Sequence, residues 1–196
     1  MAYCTIADLK AYLRMSSDTE DALLTTVISA AENTVSDYTN RSFGVETETT
    51  KYLPVSMENV SDNGRVLYLE HHYLELVETP TLVTVSGTDV TSAVKVYGDA
   101  PITQLVLSKA SGYRFDEIYD SDTEPEEQVE ITGLFGYSAD VPDEIKQATV
   151  MIAAHLYQAK DREMDGKVNV LDKEGKVAPP IPDIALALME PYRKHF

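Results

Sequence analysis

The sequence has no tryptophan, a single cysteine and far fewer basic than acidic residues. Sixteen Lys and Arg residues stand against 33 Asp and Glu residues, which gives a formal net charge of −17. No basic cluster occurs along the chain, so the sequence excludes a protein that binds DNA through a basic face. Cys4 cannot form a disulfide within the chain, which fits synthesis in a reducing cytoplasm.

Long hydrophobic runs are also absent. No run of about 18 apolar residues occurs, so we predict no membrane span. The N-terminal MAYCTIADLK shows no basic stretch followed by an apolar run, and we expect no signal peptide. The length of 196 residues and the hydrophobic fraction of 43% predict one globular domain, or one domain with a large insertion.

Motifs of common catalytic and cofactor sites are missing as well. The sequence contains no G-x-S-x-G, H-E-x-x-H, P-loop or G-x-G-x-x-G. Cys4 has no evident base beside it, and we expect it to be inert. His155 lies in an apolar helical segment, which favours a buried or interface histidine over a general base. We therefore predict no catalytic residue and no cofactor.

Two segments contain residue types that occur in metal sites. The acidic run over residues 120–127, DSDTEPEE, begins like a calcium loop, but Pro125 stands where such loops need Gly. A solvated loop tip is the favoured interpretation. His71 and His72 lack partners at metal-ligand spacing, and on a strand they would point to opposite faces. We predict no metal at either segment.

Two amphipathic helices are predicted near the N-terminus. Thr5 is a good N-cap and Asp8 follows three residues later, close to a capping box, at the start of a short helix. A second helix is predicted over residues 18–40, with Ser17 and Glu20 forming its capping box. Its apolar stripe comprises Leu24, Val27, Ile28, Ala31, Val35 and Tyr38.

The segment over residues 143–162, DEIKQATVMIAAHLYQAKDR, predicts a helix that is apolar on nearly all sides. A surface helix needs only one apolar stripe. We expect one side to pack on the 18–40 helix, and a second side, formed by Val150, Met151, Ala154 and Tyr157, to meet a neighbouring subunit or the β region. The alternative, a helix enclosed by its own domain, remains open.

In the intervening residues 44–137, ETETTKYLPV is threonine-rich and alternating, AVKVYGDAPITQLVLS reads as two strands around the turn at Gly98, and Val129 and Ile131 alternate with polar neighbours. These patterns predict five to seven short, mostly antiparallel strands. Residues 165–196 combine a polar, Gly- and Pro-containing stretch with a short helix that begins near Pro182. The predicted fold class is α+β. It has a helical core (1–43 and 138–164), an inserted β region (44–137) and a C-terminal arm (165–196).

The order of these segments resembles the phage head-tail connector family, the head-completion adaptors of long-tailed phages and prophages. The matching pieces are the DLKAYLR start, the acidic DTEDALL opening of the second helix, the GYSADVPDEIKQA stretch, the Ala-rich helix ending near AKDR, and the terminal PDIALALMEPYR. They cover both ends of the chain. Their order and spacing together carry the resemblance.

The resemblance implies a structural virion protein of the neck, made in the host cytoplasm, and not an enzyme. Its members form a ring of about twelve subunits under the portal, which needs a different contact patch on each side of a subunit. Implied partners are other copies, the portal and a downstream neck or tail protein. Such a ring would carry on the order of two hundred negative charges, so that DNA passes the channel without specific binding.

The C-terminal residues are expected, from the same resemblance, to reach the portal or an adjacent subunit. A short terminal helix is marginally stable alone and needs a surface on which to bury its apolar side. The alternative surface is its own domain. The candidate portal-docking residues are Ile181, Ile184, Leu188, Tyr192 and Phe196.

Two other functions are compatible with the sequence. One is a small binding module whose β region recognises a ligand or a protein. The other is a hydrolase that uses carboxylates of the acidic run, although paired catalytic carboxylates need partial burial to separate their pKa values. A ring-shaped oligomer in electron micrographs would favour the connector over both alternatives.

Overall fold

Helices at the two ends of the chain flank a long run of short strands. The computed structural model describes residues 2–72, 74–116, 128–164 and 181–194. The predicted α+β class is confirmed. The described helices are α1 (Ile6–Leu13), α2 (Asp21–Thr39), α3 (Asp143–Met164) and α4 (Asp183–Met189), and the described strands are β1 (Thr49–Leu53), β2 (Val66–Tyr68), β3 (Leu82–Val85), β4 (Thr88–Asp89), β5 (Val94–Lys95), β6 (Gln104–Leu107) and β7 (Val129–Gly133).

The chain divides into two compact units. The helical unit comprises Met1–Phe43 and Val141–Phe196, and the β unit comprises Gly44–Asp140. Each unit has its own core, because the helices bury their stripes on one another while the strands close around a separate apolar cluster.

Helix α1 begins with the predicted cap. The Thr5 hydroxyl accepts a hydrogen bond from the Asp8 backbone N–H at 3.1 Å, and the Thr5 N–H donates to the Asp8 carboxylate at 2.9 Å. This reciprocal arrangement satisfies two donors that the first helical turn leaves without partners. The helix ends at Arg14, whose left-handed backbone (φ 58°) turns the chain toward α2.

Helix α2 begins later than predicted, and its predicted capping box was wrong. The helix starts at Asp21, with Glu20 at the N-cap and no side-chain capping bond. Tertiary contacts take the polar groups instead. Lys10 binds Asp18 at 2.6 Å and Asp21 at 2.5 Å, and Glu20 accepts a hydrogen bond from Tyr157.

The β unit contains two antiparallel sheets, with strand orders β1-β7-β3-β4 and β2-β6-β5 among the described strands. In the first sheet Val83 pairs with Ile131 and Val85 with Val129, and all four side chains are buried. In the second sheet β5 and β6 pair antiparallel, as predicted for the two strands on either side of the turn at Gly98. The alternating burial along β7 matches the predicted alternation of Val129 and Ile131.

Candidate assembly surfaces

Helix α3 is surrounded by the other helices of its own unit, since it packs against α1, α2 and α4. Its fully buried residues include Ile145, Ala148 and Ala153. Thr149 is also buried, and its hydroxyl donates to the Ile145 carbonyl at 2.8 Å, so no polar group is left unsatisfied there. Enclosure by its own unit therefore accounts for most of the apolar surface of this helix.

The four candidate interface residues of α3 fall into two classes. Val150 and Ala154 are 5% and 3% exposed, so they already belong to the core of the chain and offer a neighbour little surface. Met151 and Tyr157 remain partly exposed. The Tyr157 hydroxyl donates to Glu20 and ties α3 to the start of α2, whereas Met151 is apolar and partly exposed.

Helix α4 packs on α3 with a different side from the one that the predicted docking residues occupy. Ala185 and Met189 are fully buried, whereas Ile184 is 65% exposed. Ile181, Leu188 and Tyr192 are partly exposed, and Phe196 lies outside the described residues. The chain thus buries one side of α4 itself and leaves Ile184 facing outward, whereas Tyr192 packs edge-on against the buried Phe43 ring.

Tyrosine side chains fasten the C-terminal segment to the helical unit. Tyr192 donates to the Glu144 carboxylate at 2.9 Å, and Tyr38 donates to Glu190 at 2.5 Å. The bond to the Glu190 carboxylate raises the pKa of Tyr38, because the tyrosine must keep its proton to donate. The pKa of the Glu144 carboxyl is lowered, first by a hydrogen bond from the Glu144 backbone N–H and then by the bond from the Tyr192 hydroxyl. Sequence analysis missed these contacts, because their partners lie far apart in the chain.

An open cleft lies between α1 and α3. It has a volume of about 340 Å³, and Tyr12, at 48% exposed, lies at its edge. The cleft is lined by Asp8, Ala11, Tyr12, Asp143, Lys146, Gln147 and Val150. The sequence offers little indication of this cleft. Tyr12 and Leu9 both follow the apolar spacing of α1, but only Leu9 is buried in the structure.

The two adjacent histidines lie just beyond the end of strand β2. His71 and His72 lie in a 3₁₀ turn, Leu69–His72. The buried Asn59 amide donates to His72 Nε2 at 2.5 Å and to the Pro54 carbonyl at 2.6 Å. Partial burial, followed by the neighbouring His71, lowers the pKa of His72. The imidazole therefore acts as a neutral hydrogen-bond acceptor that ties the turn after β2 to Asn59, which precedes β2 in the chain.

The described residues offer little for metal binding or nucleophilic chemistry. No cluster of three His, Cys, Asp or Glu side chains placed to hold a metal occurs in this part of the chain. The acidic run over residues 120–127 lies outside the described residues.

Cys4 is buried, and desolvation, with Glu32 and Asp8 nearby, raises the pKa of its thiol to about 12, so the reactive thiolate is disfavoured. Within the described residues, no helix has the length and apolarity needed to cross a membrane.

Residues 3–63 match the family model of phage gp6-like head-tail connector proteins. The resemblance to head-tail connectors is confirmed. The connector-like segment, residues 3–63, contains α1, α2 and β1, and so includes the capped start and the acidic opening of the second helix on which the resemblance was based. No curated protein matches the chain.

Two solved structures resemble nearly the whole chain. One is a chain from the neck of an empty gene transfer agent (GTA) particle computed with C6 symmetry, with a TM-score of 0.63 and 20% identity. The other is a chain from the virion of a native GTA particle, with a TM-score of 0.59 and 18% identity. Each match covers 97% of this chain and 89% of the other. At this identity the likeness establishes a shared fold.

Proposed function

We propose that this protein is a structural component of the neck of a phage or phage-like particle, where it connects head and tail. The match of residues 3–63 to the connector family carries the proposal. The shared fold with a chain from a GTA neck supports it, because that likeness extends beyond the connector-like segment to 97% of the chain. The matching family is one of structural connectors, so we assign the protein no catalytic activity.

The proposed assembly is a ring of about twelve copies beneath the portal. The GTA neck with the similar fold was computed with C6 symmetry, and twelve is a multiple of six. In this ring the helical core carries the contacts between subunits, with Met151 and Tyr157 on the exposed part of α3. The β unit is an insertion in that core. One face of the ring receives the downstream neck or tail protein.

The charge of the protein suits a channel through which DNA slides. A net charge of −17 on each copy gives the ring on the order of two hundred negative charges. A basic channel wall would release counterions from DNA, bind it and slow its passage, whereas an acidic wall repels the phosphates. DNA accordingly passes through the ring without specific binding.

The outward side of the C-terminal segment is the proposed portal contact. Ile184 is 65% exposed although α4 is anchored on α3 through Ala185 and Met189. Because the helix that carries this isoleucine is already ordered, binding a partner costs it little further conformational entropy. This favours Ile184 as a contact residue for the portal. Ile181, Leu188, Tyr192 and Phe196 complete the proposed docking set.

Attachment to heads tests the proposal. The purified protein is mixed with portal-containing heads that lack this component, the heads are separated by sedimentation, and the neck is imaged by electron microscopy. We expect bound protein and a ring of density beneath the portal. Heads that sediment without the protein, and that show no added density at saturating protein, would contradict the proposed function.

A further inference from the structure

A tight turn in the β unit carries the only Asn-Gly pair of the sequence, Asn63–Gly64. The turn joins Val60 to Leu67, which pair as an antiparallel bridge, and the Gly64 N–H donates to the Ser61 carbonyl at 2.7 Å. Asn63 is exposed at its corner. Residues 61–66 are called the Asn63 turn below. An asparagine followed by glycine has a chemically labile side-chain amide, because glycine has no side chain to hinder attack by its own backbone nitrogen.

The Asn63 side chain is folded toward the backbone that follows it. Its Oδ1 accepts a hydrogen bond from the Arg65 backbone N–H at 3.1 Å and another from the Ser61 hydroxyl at 2.9 Å. The bond to the N–H two residues on is an Asx turn, which holds the side-chain carbonyl close to the Gly64 peptide. Both donors polarise this carbonyl, and both stabilise the negative charge that develops on Oδ1 when a nucleophile attacks Cγ.

Glycine at position 64 is required by the fold. Its backbone has a φ of +70°, which other residues rarely adopt. A Cβ atom at this position would collide with the Asp116 carboxylate, which is paired with Arg114 at 2.7 Å. The fold therefore keeps beside Asn63 the one residue type that leaves its amide open to attack.

We propose that Asn63 is a site of spontaneous deamidation, at a rate set by opening of the Asn63 turn. This inference is independent of the proposed neck function. The Gly64 backbone nitrogen loses its proton and bonds to Asn63 Cγ, the Cγ–Nδ2 bond breaks, and Nδ2 leaves as ammonia with a proton. Water then opens the resulting succinimide. Cleavage of its bond to Cγ gives aspartate, and cleavage of its bond to the backbone carbonyl carbon gives isoaspartate, with no change of oxidation state.

The closed turn restrains this reaction. The Gly64 nitrogen cannot lose its proton while its N–H donates to the Ser61 carbonyl. Ser61 also holds the turn shut from its other side, because its N–H donates to the Val66 carbonyl at 2.9 Å and its hydroxyl accepts from the Val66 N–H at 3.0 Å. Attack therefore occurs from the small population in which these bonds are open, so Asn63 reacts more slowly in the folded protein than in the unfolded chain.

The two products affect the β unit differently. Aspartate keeps an oxygen at the position of Oδ1, so it accepts the same two hydrogen bonds and adds one negative charge beside Asp62. Isoaspartate adds a carbon atom to the main chain between Asn63 and Gly64. This displaces the start of β2, where Val66 pairs with Val106 of β6. Isoaspartate is therefore the product that weakens the β unit.

Peptide mass spectrometry of the aged full-length protein tests the site. The protein is incubated at neutral and at mildly alkaline pH, and each asparagine peptide is quantified over time. We expect conversion at Asn63 to be at least tenfold faster than at Asn40, which is also exposed but is followed by the bulky Arg41. Conversion should rise with pH, because the Gly64 nitrogen must lose its proton. Equal conversion at the two asparagines, or none at Asn63, would overturn the proposal.

Two comparisons test the turn and the products. Conversion in urea should be at least tenfold faster than in the folded protein, and equal rates would show that the turn does not set the rate. Asn63→Asp retains the acceptor, so we expect the fresh variant to unfold at the same denaturant concentration as fresh wild type, whereas aged wild type unfolds at a lower one. Aged wild type as stable as fresh Asn63→Asp would contradict the effect assigned to isoaspartate.

Discussion

The Tyr192 hydroxyl donates a 2.9 Å hydrogen bond to the Glu144 carboxylate, which joins the C-terminal segment to the first turn of α3. The Lys194 backbone N–H adds a 2.9 Å bond to the Thr39 carbonyl at the end of α2. The C-terminal segment thus makes hydrogen bonds to both α2 and α3, which are distant from each other in sequence. Because α4 also buries Met189, a truncation of residues 178–196 removes part of the core together with any docking surface. Point substitutions therefore separate the two roles better than deletion.

Substitutions in α4 separate anchoring from docking. Ile184→Asp changes an exposed side chain, so we expect a melting temperature within a few degrees of wild type and a loss of attachment to portal-containing heads. Met189→Ala removes a fully buried side chain and is expected to cost about 2–5 kcal/mol of unfolding free energy. Thermal unfolding and head sedimentation measure the two effects. Full attachment of Ile184→Asp would contradict the portal contact.

Aspartate substitutions in α3 distinguish interface from core. Met151→Asp places the charge on a partly exposed residue, and we expect weaker subunit association with little loss of fold. Val150→Asp buries the charge in the helical unit, where an unpaired charge costs several kcal/mol, and we expect unfolding. Sedimentation and circular dichroism report the difference. Equal unfolding of both variants would place Met151 in the core and rule it out as a contact.

The charge of the protein predicts its behaviour toward nucleic acid. With 16 basic against 33 acidic residues it has too little positive charge to release counterions from DNA. We expect no shift of duplex DNA in a gel assay at about 150 mM salt. Binding at micromolar protein would contradict the proposed acidic channel. A basic DNA-binding domain run in parallel confirms that the assay detects such binding.

Stability of the β unit is expected to depend on the protonation of His72. Its pKa is lowered in the folded state from the ordinary histidine value of 6.5, so the unfolded chain binds the proton more readily. The stabilisation is complete above about pH 6.5 and declines as the pH falls toward the lowered value. Protonation also removes the acceptor that Asn59 uses at Nε2.

Chemical denaturation between about pH 7.5 and pH 5.5 measures this effect against the ordinary histidine range. His72→Gln is the control, because a glutamine oxygen can accept the Asn59 bond without titrating. We expect a smaller loss of unfolding free energy for the variant than for wild type over that interval. Equal pH dependence in both proteins would show that other groups govern it.

Local sequence determined the elements whose signals lie within a few residues. The reciprocal Thr5–Asp8 cap forms as predicted because both partners belong to one helical turn. The alternation of Val129 and Ile131 specified a half-buried strand, since successive side chains on a strand point to opposite faces. The order and spacing of the matching segments at both ends of the chain carried the resemblance to connectors.

Tertiary structure decided which partner each polar group takes and which side of each helix is covered. The Ser17–Glu20 capping box was wrong because Glu20 is bound by Tyr157, a residue more than a hundred positions away. Likewise, periodicity identified the apolar residues of α3 but not which neighbour covers them, and packing placed Val150 in the core while leaving Met151 partly exposed. Helical spacing specifies a face, whereas the surface that meets it depends on how the whole chain packs.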